Sequence, residues 1–324
     1  ANKEDYITSV NPDAPAQAYD NYTLTERGNP ASLAVPVEPG RYEVRYVTAQ
    51  SRTILARVPL EVTPVGASLS APDSALIGSP IPVAWTGPNN KGDYITIVAA
   101  GAADGQSGNY SFTERGSPVE VKAPVQDGPA ELRYQTGQDN KVLARRPIVL
   151  TVPNISLEAP TEIVEGGAVS IKWSGPSNRG DYLTVVPKSL PDGQFKNNTD
   201  VSRGSPLSVE APMGPGPGEI RYMTAQGGRV LARRDITFLQ AKVTLQAVDA
   251  ADAGSTVEVI WTGPNNRGDF LTIVPASAPD AQVGKYAVAE IGSPSRIALP
   301  AEAGPAEIPY ISGQNRAILA RRPI

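Results

Sequence analysis

The stretch that decides the fold is WTGPNNKGDYITIV, which runs from Trp85 to Val98. It returns as WSGPSNRGDYLTVV from Trp173 and as WTGPNNRGDFLTIV from Trp261, and the chain opens on its tail, NKEDYITSV, from Asn2. Each full copy joins an alternating apolar segment, a turn cluster of glycine, proline and asparagine, and a second apolar segment. The stretch therefore predicts a strand–turn–strand joint that was copied along the chain.

The copies are separated by 88 residues, with no insertion or deletion. A fixed period of this length is typical of an array of equal modules. We expect a partial module 1 at 1–62, followed by module 2 at 63–150, module 3 at 151–238 and module 4 at 239–324. The repeated positions are Asp5, Asp93, Asp181 and Asp269; Trp85, Trp173 and Trp261; Tyr46, Tyr134, Tyr222 and Tyr310; and Arg57, Arg145, Arg233 and Arg321.

Within one module, apolar and polar residues alternate with the period of two that marks half-buried strands. In the segment AELRYQTG, for example, Leu132 and Tyr134 are expected inside, with Glu131 and Arg133 outside. Turn clusters separate about seven such segments, and no stretch shows a sustained helical period. The predicted fold class is all-β: four tandem immunoglobulin-like antiparallel β-sandwich modules, of which the first is incomplete.

The composition excludes several classes of site. The chain has neither histidine nor cysteine, which removes disulfides, Cys/His zinc sites and histidine-based catalytic triads. The net charge is −4 and no basic stripe is present, which argues against nucleic-acid binding. The apolar runs are too short to cross a bilayer. We expect no enzyme, no cofactor, no metal and no transmembrane segment.

The combined motif W-[TS]-G-P-x-N-[KR]-G-D-[YF]-[IL]-T-[IV]-V, followed by G-S-P and L-A-R-R-x-I, resembles the immunoglobulin-like repeats of bacterial envelope-associated proteins. The resemblance covers all four copies. It implies a structural or interaction role outside the cytoplasm, either extracellular or periplasmic. Some members of that family carry a von Willebrand factor A domain, but its D-x-S-x-S metal-binding motif is not found in this sequence.

Each repeated residue type has a structural and a functional interpretation. The motif aspartate can cap the turn amides, form an ion pair with the LAR arginine, or bind a ligand. The tryptophan can pack in the core or offer a platform for a sugar ring. Asp104, Asp192 and Asp280 fit a plain turn better than a calcium loop. Each pair of adjacent arginines, such as Arg145 and Arg146, should split between the two faces of its strand and make solvated salt bridges.

The copies differ mainly in their loops, so a partner would be recognised there. Tyr22, Tyr110 and Tyr286 are the candidate loop contacts. The composition and repeats favour a non-catalytic structural or adhesive rod, or a filament-forming unit of the bacterial envelope or surface. The alternative is a set of tandem binding modules that recognise a glycan or an envelope protein through these loops.

Module 1 lacks the counterpart of 61–88, which contains the first strands and the tryptophan strand. Three explanations stay open: a truncated chain, missing residues, or completion by a strand of a neighbouring chain. The last one predicts protein–protein contact between copies of the chain.

Overall fold

The computed structural model describes residues 2–324, which fold into two compact units, and the chain passes from the first to the second between Thr151 and Val152. The first unit contains modules 1 and 2, and the second contains modules 3 and 4. The described part of the chain has no helix of the length and apolarity needed to span a bilayer.

Module 2 is a sandwich of two sheets. The smaller sheet has three strands in the order β10-β7-β5, and the larger has five in the order β6-β12-β11-β8-β9. The pairing is antiparallel except that β6 runs parallel to β12. The strands are β5 (Ser68–Ser70), β6 (Ser74–Leu76), β7 (Pro80–Thr86), β8 (Tyr94–Ala99), β9 (Tyr110–Phe112), β10 (Val119–Lys122), β11 (Gly128–Gln135) and β12 (Val142–Thr151).

Module 3 repeats this arrangement with the sheet orders β13-β15-β18 and β14-β20-β19-β16-β17. Its strands are β13 (Ser156–Glu158), β14 (Glu162–Val164), β15 (Ala168–Ser174), β16 (Tyr182–Pro187), β17 (Asn198–Asp200), β18 (Leu207–Glu210), β19 (Gly216–Met223) and β20 (Val230–Leu239).

Module 4 has the orders β21-β22-β25 and β24-β23-β26-β27. Its strands are β21 (Thr244–Gln246), β22 (Thr256–Thr262), β23 (Phe270–Pro275), β24 (Lys285–Val288), β25 (Ser295–Ala298), β26 (Ala306–Ile311) and β27 (Ile318–Pro323). The described strands of module 1 form one sheet, β2-β1-β3-β4, from β1 (Tyr6–Val10), β2 (Tyr22–Leu24), β3 (Gly40–Val47) and β4 (Ile54–Val62).

The core of each sandwich lies between its two sheets. In module 3 it is formed by alternate residues of β15, such as Val169 and Ile171, packed against Leu183, Val185 and Ile220 from the facing sheet. This confirms the all-β sandwich predicted from the alternation. A short 3-10 turn follows the edge strand β2, β9, β17 or β24 of each module, at Thr25–Arg27, Thr113–Arg115, Val201–Arg203 and Ala289–Ile291.

Modules 2 and 3 each contain eight strands, where the sequence pattern predicted about seven, and module 4 contains seven in the described residues. The segments that were missed, represented by β6 and β9 in module 2, are three residues long. Three residues carry too little alternation to show a period of two, and these strands form because they pair with the edge of a longer strand.

Candidate functional site

The motif aspartate organises a buried hydrogen-bond network at one end of module 2. Asp93 is 1% exposed, and its Oδ2 accepts hydrogen bonds from Tyr134 Oη at 2.9 Å and from the Asn90 amide at 3.0 Å. Its Oδ1 accepts from the Gly137 amide at 2.9 Å. The Tyr134 hydroxyl in turn accepts from the Asn89 amide at 2.9 Å. The carboxylate therefore ties the GPNNKGD turn to β11 and to the hairpin that follows it.

The same network occurs in every module. The tyrosine hydroxyl donates to the aspartate at 3.0 Å in module 1, 3.2 Å in module 3 and 3.1 Å in module 4. The second carboxylate oxygen accepts an amide at 3.1, 3.0 and 2.9 Å in the same order. These residues form one structural unit, and the geometry places them at the capping position that the turn chemistry suggests.

The network shifts the proton affinities of its members. Burial, followed by the Asp93 carboxylate, raises the pKa of Tyr134 to about 12, although the Asn89 hydrogen bond opposes the change. Burial and the partner aspartate also raise the pKa of Tyr222 and of Tyr310. In module 1, the amide of Ala49 holds the pKa of the Asp5 carboxyl below its usual value, against the effect of desolvation.

The other residues of the motif meet steric demands of this network. A Cβ on Gly87 would lie 2.7 Å from the Tyr134 ring, so the tyrosine requires glycine there. Asn89, Ser177 and Asn265 occupy the left-handed region with φ of 51° or 52°, which asparagine tolerates better than most residues. The turn sequence is thus dictated by the tyrosine that it covers.

The motif tryptophans pack beside the same tyrosines. The Trp85, Trp173 and Trp261 rings lie 5.5–5.7 Å from the Tyr134, Tyr222 and Tyr310 rings. Trp261 is buried, whereas Trp85 and Trp173 are half-buried. The indole nitrogen donates to Gly116 O in module 2 and to Gly204 O in module 3. With the nitrogen hydrogen-bonded and the ring packed beside the tyrosine, these tryptophans are part of the module's packing.

The LAR arginine makes contacts away from the motif aspartate, so the suggested ion pair between the two is wrong. Arg145 instead pairs with Asp104 and Glu131. The Arg145 contact is the largest influence that lowers the pKa of the Asp104 carboxyl. Arg233 and Arg321 make the equivalent pairs with Asp192 and Asp280. These aspartates therefore anchor a loop to an exposed arginine, and Arg57 of module 1 pairs with Glu43.

Arg133 was predicted to point into solvent, and this is wrong: it is 1% exposed. It lies on the outer face of the larger sheet, but the loop after β8 folds over it. Its guanidinium donates to Ala103 O at 2.8 Å and to Ala102 O, and it pairs with Glu131 at 2.6 Å. Arg45 and Arg221 hold the corresponding loops of modules 1 and 3. Module 4 has Pro309 at this position.

The second arginine of the pair lies on the opposite face, as the strand alternation predicts. Arg146 reaches from β12 to the edge of the smaller sheet, where it donates to Ala71 O at 3.2 Å and pairs with Asp73. Arg234 likewise donates to Ala159 O at 2.6 Å. One arginine therefore fixes an outer loop and its neighbour closes the edge of the sandwich.

The three tyrosines predicted in loops lie in edge strands instead. Tyr22, Tyr110 and Tyr286 belong to β2, β9 and β24, and each is more than half exposed. Their loop assignment was wrong because these strands are short and adjoin long loops. Each ring packs edge-on against the aromatic residue that follows the motif aspartate, at 6.0, 5.5 and 5.8 Å.

A repeated glutamine joins successive modules within each unit. Gln138 Nε2 donates to Val35 O at 3.1 Å, which links module 2 to module 1. Gln314 Nε2 donates to Ala211 O at 3.0 Å, which links module 4 to module 3. Donors and acceptors are both two repeat lengths apart in sequence. The same type of contact therefore occurs at both junctions. It was missed because a strand pattern carries no information about a partner in another module.

The junction between modules 3 and 4 contains further polar contacts. Gln314 Oε1 accepts from the Met213 amide at 2.9 Å, and Asn266 of the motif donates to Glu165 O at 3.1 Å. The Glu165 side chain is buried and accepts from the Gly214 amide at 2.7 Å and from the Ala241 amide, in the connecting segment, at 2.9 Å. The connecting segment is thus held at its midpoint.

The junction between modules 1 and 2 adds an ion pair, Lys141 Nζ to Glu38 Oε1 at 2.7 Å. Both side chains are partly exposed, so the pair adds little stability by itself. Within residues 2–324, no group of three or more acidic side chains is placed to hold a metal ion.

Comparison with known proteins gives neither a matching family nor a matching curated protein. Similar solved structures include FdeC, an Escherichia coli adhesin, at 13% identity over 80% of this chain and 95% of that one, with a TM-score of 0.22. The tetra-tandem repeat in the extending region of a large adhesion protein has 12% identity over 100% and 92% of the two chains (TM-score 0.22). Sidekick-1 immunoglobulin domains 1–5 have 9% identity over 99% and 73% (TM-score 0.23).

Proposed function

We propose that the chain is a non-catalytic structural segment, a stiff spacer of immunoglobulin-like modules in the envelope or on the surface of a bacterium. The observation that carries the proposal is the shared glutamine contact of Gln138 and Gln314. A spacer needs successive modules at a fixed angle. A side-chain contact made from the same repeat position fixes that angle at each junction where the contact forms. The location outside the cytoplasm follows the resemblance of the repeated motif.

The expected strength of the junction can be worked from its contacts. Gln314 makes two hydrogen bonds to module 3 and Asn266 makes one. At a net contribution of about 1 kcal/mol each, the three bonds supply about 3 kcal/mol, before the entropy of ordering the joint is subtracted. If about 2 kcal/mol is left, roughly 3% of the molecules have an open joint. Loss of the Gln314 side chain should raise this fraction about tenfold or more.

A distance measurement between two spin labels tests the proposal on the full chain. Because the chain contains no cysteine, Ser170→Cys in module 3 and Thr256→Cys in module 4 give two unique labelling sites, and both positions are exposed. Double electron–electron resonance should give one narrow distance distribution. Adding Gln314→Ala should broaden it, with a second population of different distance.

The matched control is Gln50→Ala, since Gln50 is exposed at the same repeat position of module 1. It should leave the distribution between the two labels unchanged. A broad distribution in the parent chain would overturn the stiff-spacer proposal. So would a narrow one that Gln314→Ala leaves unaltered, because the glutamine would then have no role in fixing the angle.

We further propose that copies of the chain associate with one another through module 1. The face of the module 1 sheet that corresponds to a buried face in module 2 is partly exposed; Leu60, for example, is half-buried, whereas its counterpart Ile148 is buried. An exposed apolar sheet face and free strand edges favour strand addition by a second copy. Sedimentation velocity over a hundredfold range of concentration should then show growing species. A monomer mass that does not depend on concentration would exclude the filament.

A further inference from the structure

Module 4 contains a cavity that the spacer function does not use. It lies on the outer face of the larger sheet and has a volume of about 330 Å³. Phe270 of β23 and Tyr286 of β24 form its aromatic wall, with ring centres 5.8 Å apart. Gly313 and Arg316 of the hairpin after β26 also line it, together with Val283. The volume is at the lower end of the range for small-molecule sites.

Val283 is smaller than the aromatic residues that two of the other modules have at this position, and module 2 has Ser107 there. The same repeat position holds Tyr19 in module 1 and Phe195 in module 3. Those rings pack against the aromatic residue after the motif aspartate, at 6.1 Å from Tyr6 and 5.4 Å from Tyr182. In modules 1 and 3 an aromatic side chain of the protein itself therefore occupies the space that module 4 leaves open.

Arg316 gives the cavity a positive charge. Its guanidinium carbon lies 5.1 Å from the centre of the Phe270 ring, and it is the one charged side chain among the lining residues. The salt bridges found among residues 2–324 do not include it. An exposed arginine that is held over an aromatic ring and has no carboxylate partner is well placed to bind one from a ligand.

The remaining modules lack this combination. In module 2 the position of Arg316 holds Asn140, whose side chain accepts a 2.8 Å hydrogen bond from Tyr94 Oη. In module 3 it holds Gly228. Module 1 has Arg52, but this side chain lies 5.8 Å from the centre of the Tyr19 ring, which fills the equivalent space. The open aromatic wall and the arginine occur together in module 4.

We propose that this cavity binds a sugar ring that bears a carboxylate, as in a uronic acid. The apolar C–H face of a pyranose can pack on the exposed Tyr286 ring, which is 63% exposed, while Arg316 takes the carboxylate as a forked pair. A single ring suits the small volume. The inference is independent of the spacer function, because none of the lining residues contributes to the junction contacts described above.

The test uses the full chain, labelled with ¹⁵N, and methyl glucuronide as the probe. Titration should give saturable shifts of the Gly268 and Gly313 amides. Methyl glucoside, which lacks the carboxylate, should bind at least tenfold more weakly. Val283→Phe, which copies Phe195 of module 3, should abolish the shifts of both amides with either sugar. Arg316→Asn, which copies Asn140 of module 2, should remove the preference for the glucuronide.

Arg296→Asn is the matched control, since Arg296 is an exposed arginine of the same module on the smaller sheet. It should leave the titration unchanged. Equal binding of glucuronide and glucoside, or no saturable shift at Gly268 and Gly313, would overturn the proposal. Saturable shifts with N-acetyl-aspartate amide and none with glucuronide would also overturn it, in favour of an acidic peptide. None of these outcomes bears on the spin-label distances.

Discussion

Replacing the motif aspartate of module 4 by alanine should unfold that module locally. Asp269 is fully buried and accepts hydrogen bonds from Tyr310 Oη at 3.1 Å, from the Asn266 amide at 3.0 Å and from the Gly313 amide at 2.9 Å. Asp269→Ala leaves all three donors without this partner. A buried unsatisfied donor costs about 1–3 kcal/mol, and two of the three lie where water can partly replace the carboxylate. The expected loss is about 3–5 kcal/mol.

Hydrogen exchange measured by mass spectrometry is the suitable assay, because a chain of several modules does not unfold as a two-state system. A loss of about 3–5 kcal/mol corresponds to a fall in protection of roughly 10²–10⁴-fold in β23 and β26. The control is Asp280→Ala, which removes an exposed aspartate that pairs with Arg321 and should leave protection in these strands unchanged. A fall of less than tenfold for Asp269→Ala, or equal effects of both variants, would refute the structural role of the motif aspartate.

Three further outcomes follow from the same network. Gly87→Ala should destabilise module 2 by about 2 kcal/mol or more, seen as faster exchange in β7, because its Cβ would meet the Tyr134 ring. Arg133→Met should release the loop after β8 and raise amide exchange over 102–107 at least tenfold, because two loop carbonyls lose their donor. In alkaline titration at 295 nm, Tyr134→Phe should reduce the amplitude of the phase that titrates last, since Tyr134 is one of the three tyrosines whose pKa values are raised most.

The sign of the alkaline effect follows from linkage. The pKa of Tyr134 is raised from 10 to about 12 in the folded state. The stability that the buried, protonated hydroxyl contributes is therefore fully present below pH 10 and is lost as the pH rises through about 12. Two pH units correspond to a free energy of unfolding on the order of 3 kcal/mol. An unchanged late phase in Tyr134→Phe would contradict the buried hydroxyl, just as unchanged exchange in the other two variants would contradict the contacts assigned to Gly87 and Arg133.

The sequence was sufficient to predict the role of a residue whose contacts are with residues close to it in the chain. The alternation of β7 and β15 reports which face of a strand is buried, and an aspartate at the end of a glycine-rich turn is a natural cap for the turn amides. Both inferences need only the local period and the chemistry of the turn.

The sequence was insufficient where a side chain is covered by a segment from elsewhere. Alternation places Arg133 on the outer face, which is correct, but burial depends on the loop that crosses it. Gln138 and Gln314 looked like ordinary hairpin residues because their partners lie in the preceding module. Tyr286 gave no sign of a strand, since β24 exists by virtue of its pairing with β23.

Residual dipolar couplings of the unmodified chain, weakly aligned and labelled with ¹⁵N, test the central claim most directly. Modules 3 and 4 contain enough regular strands to define an alignment tensor for each. Joined by Gln314, Asn266 and the segment held by Glu165, the two modules should share one tensor in magnitude and orientation. Two tensors of different magnitude would show that the modules move independently, and would contradict the stiff spacer.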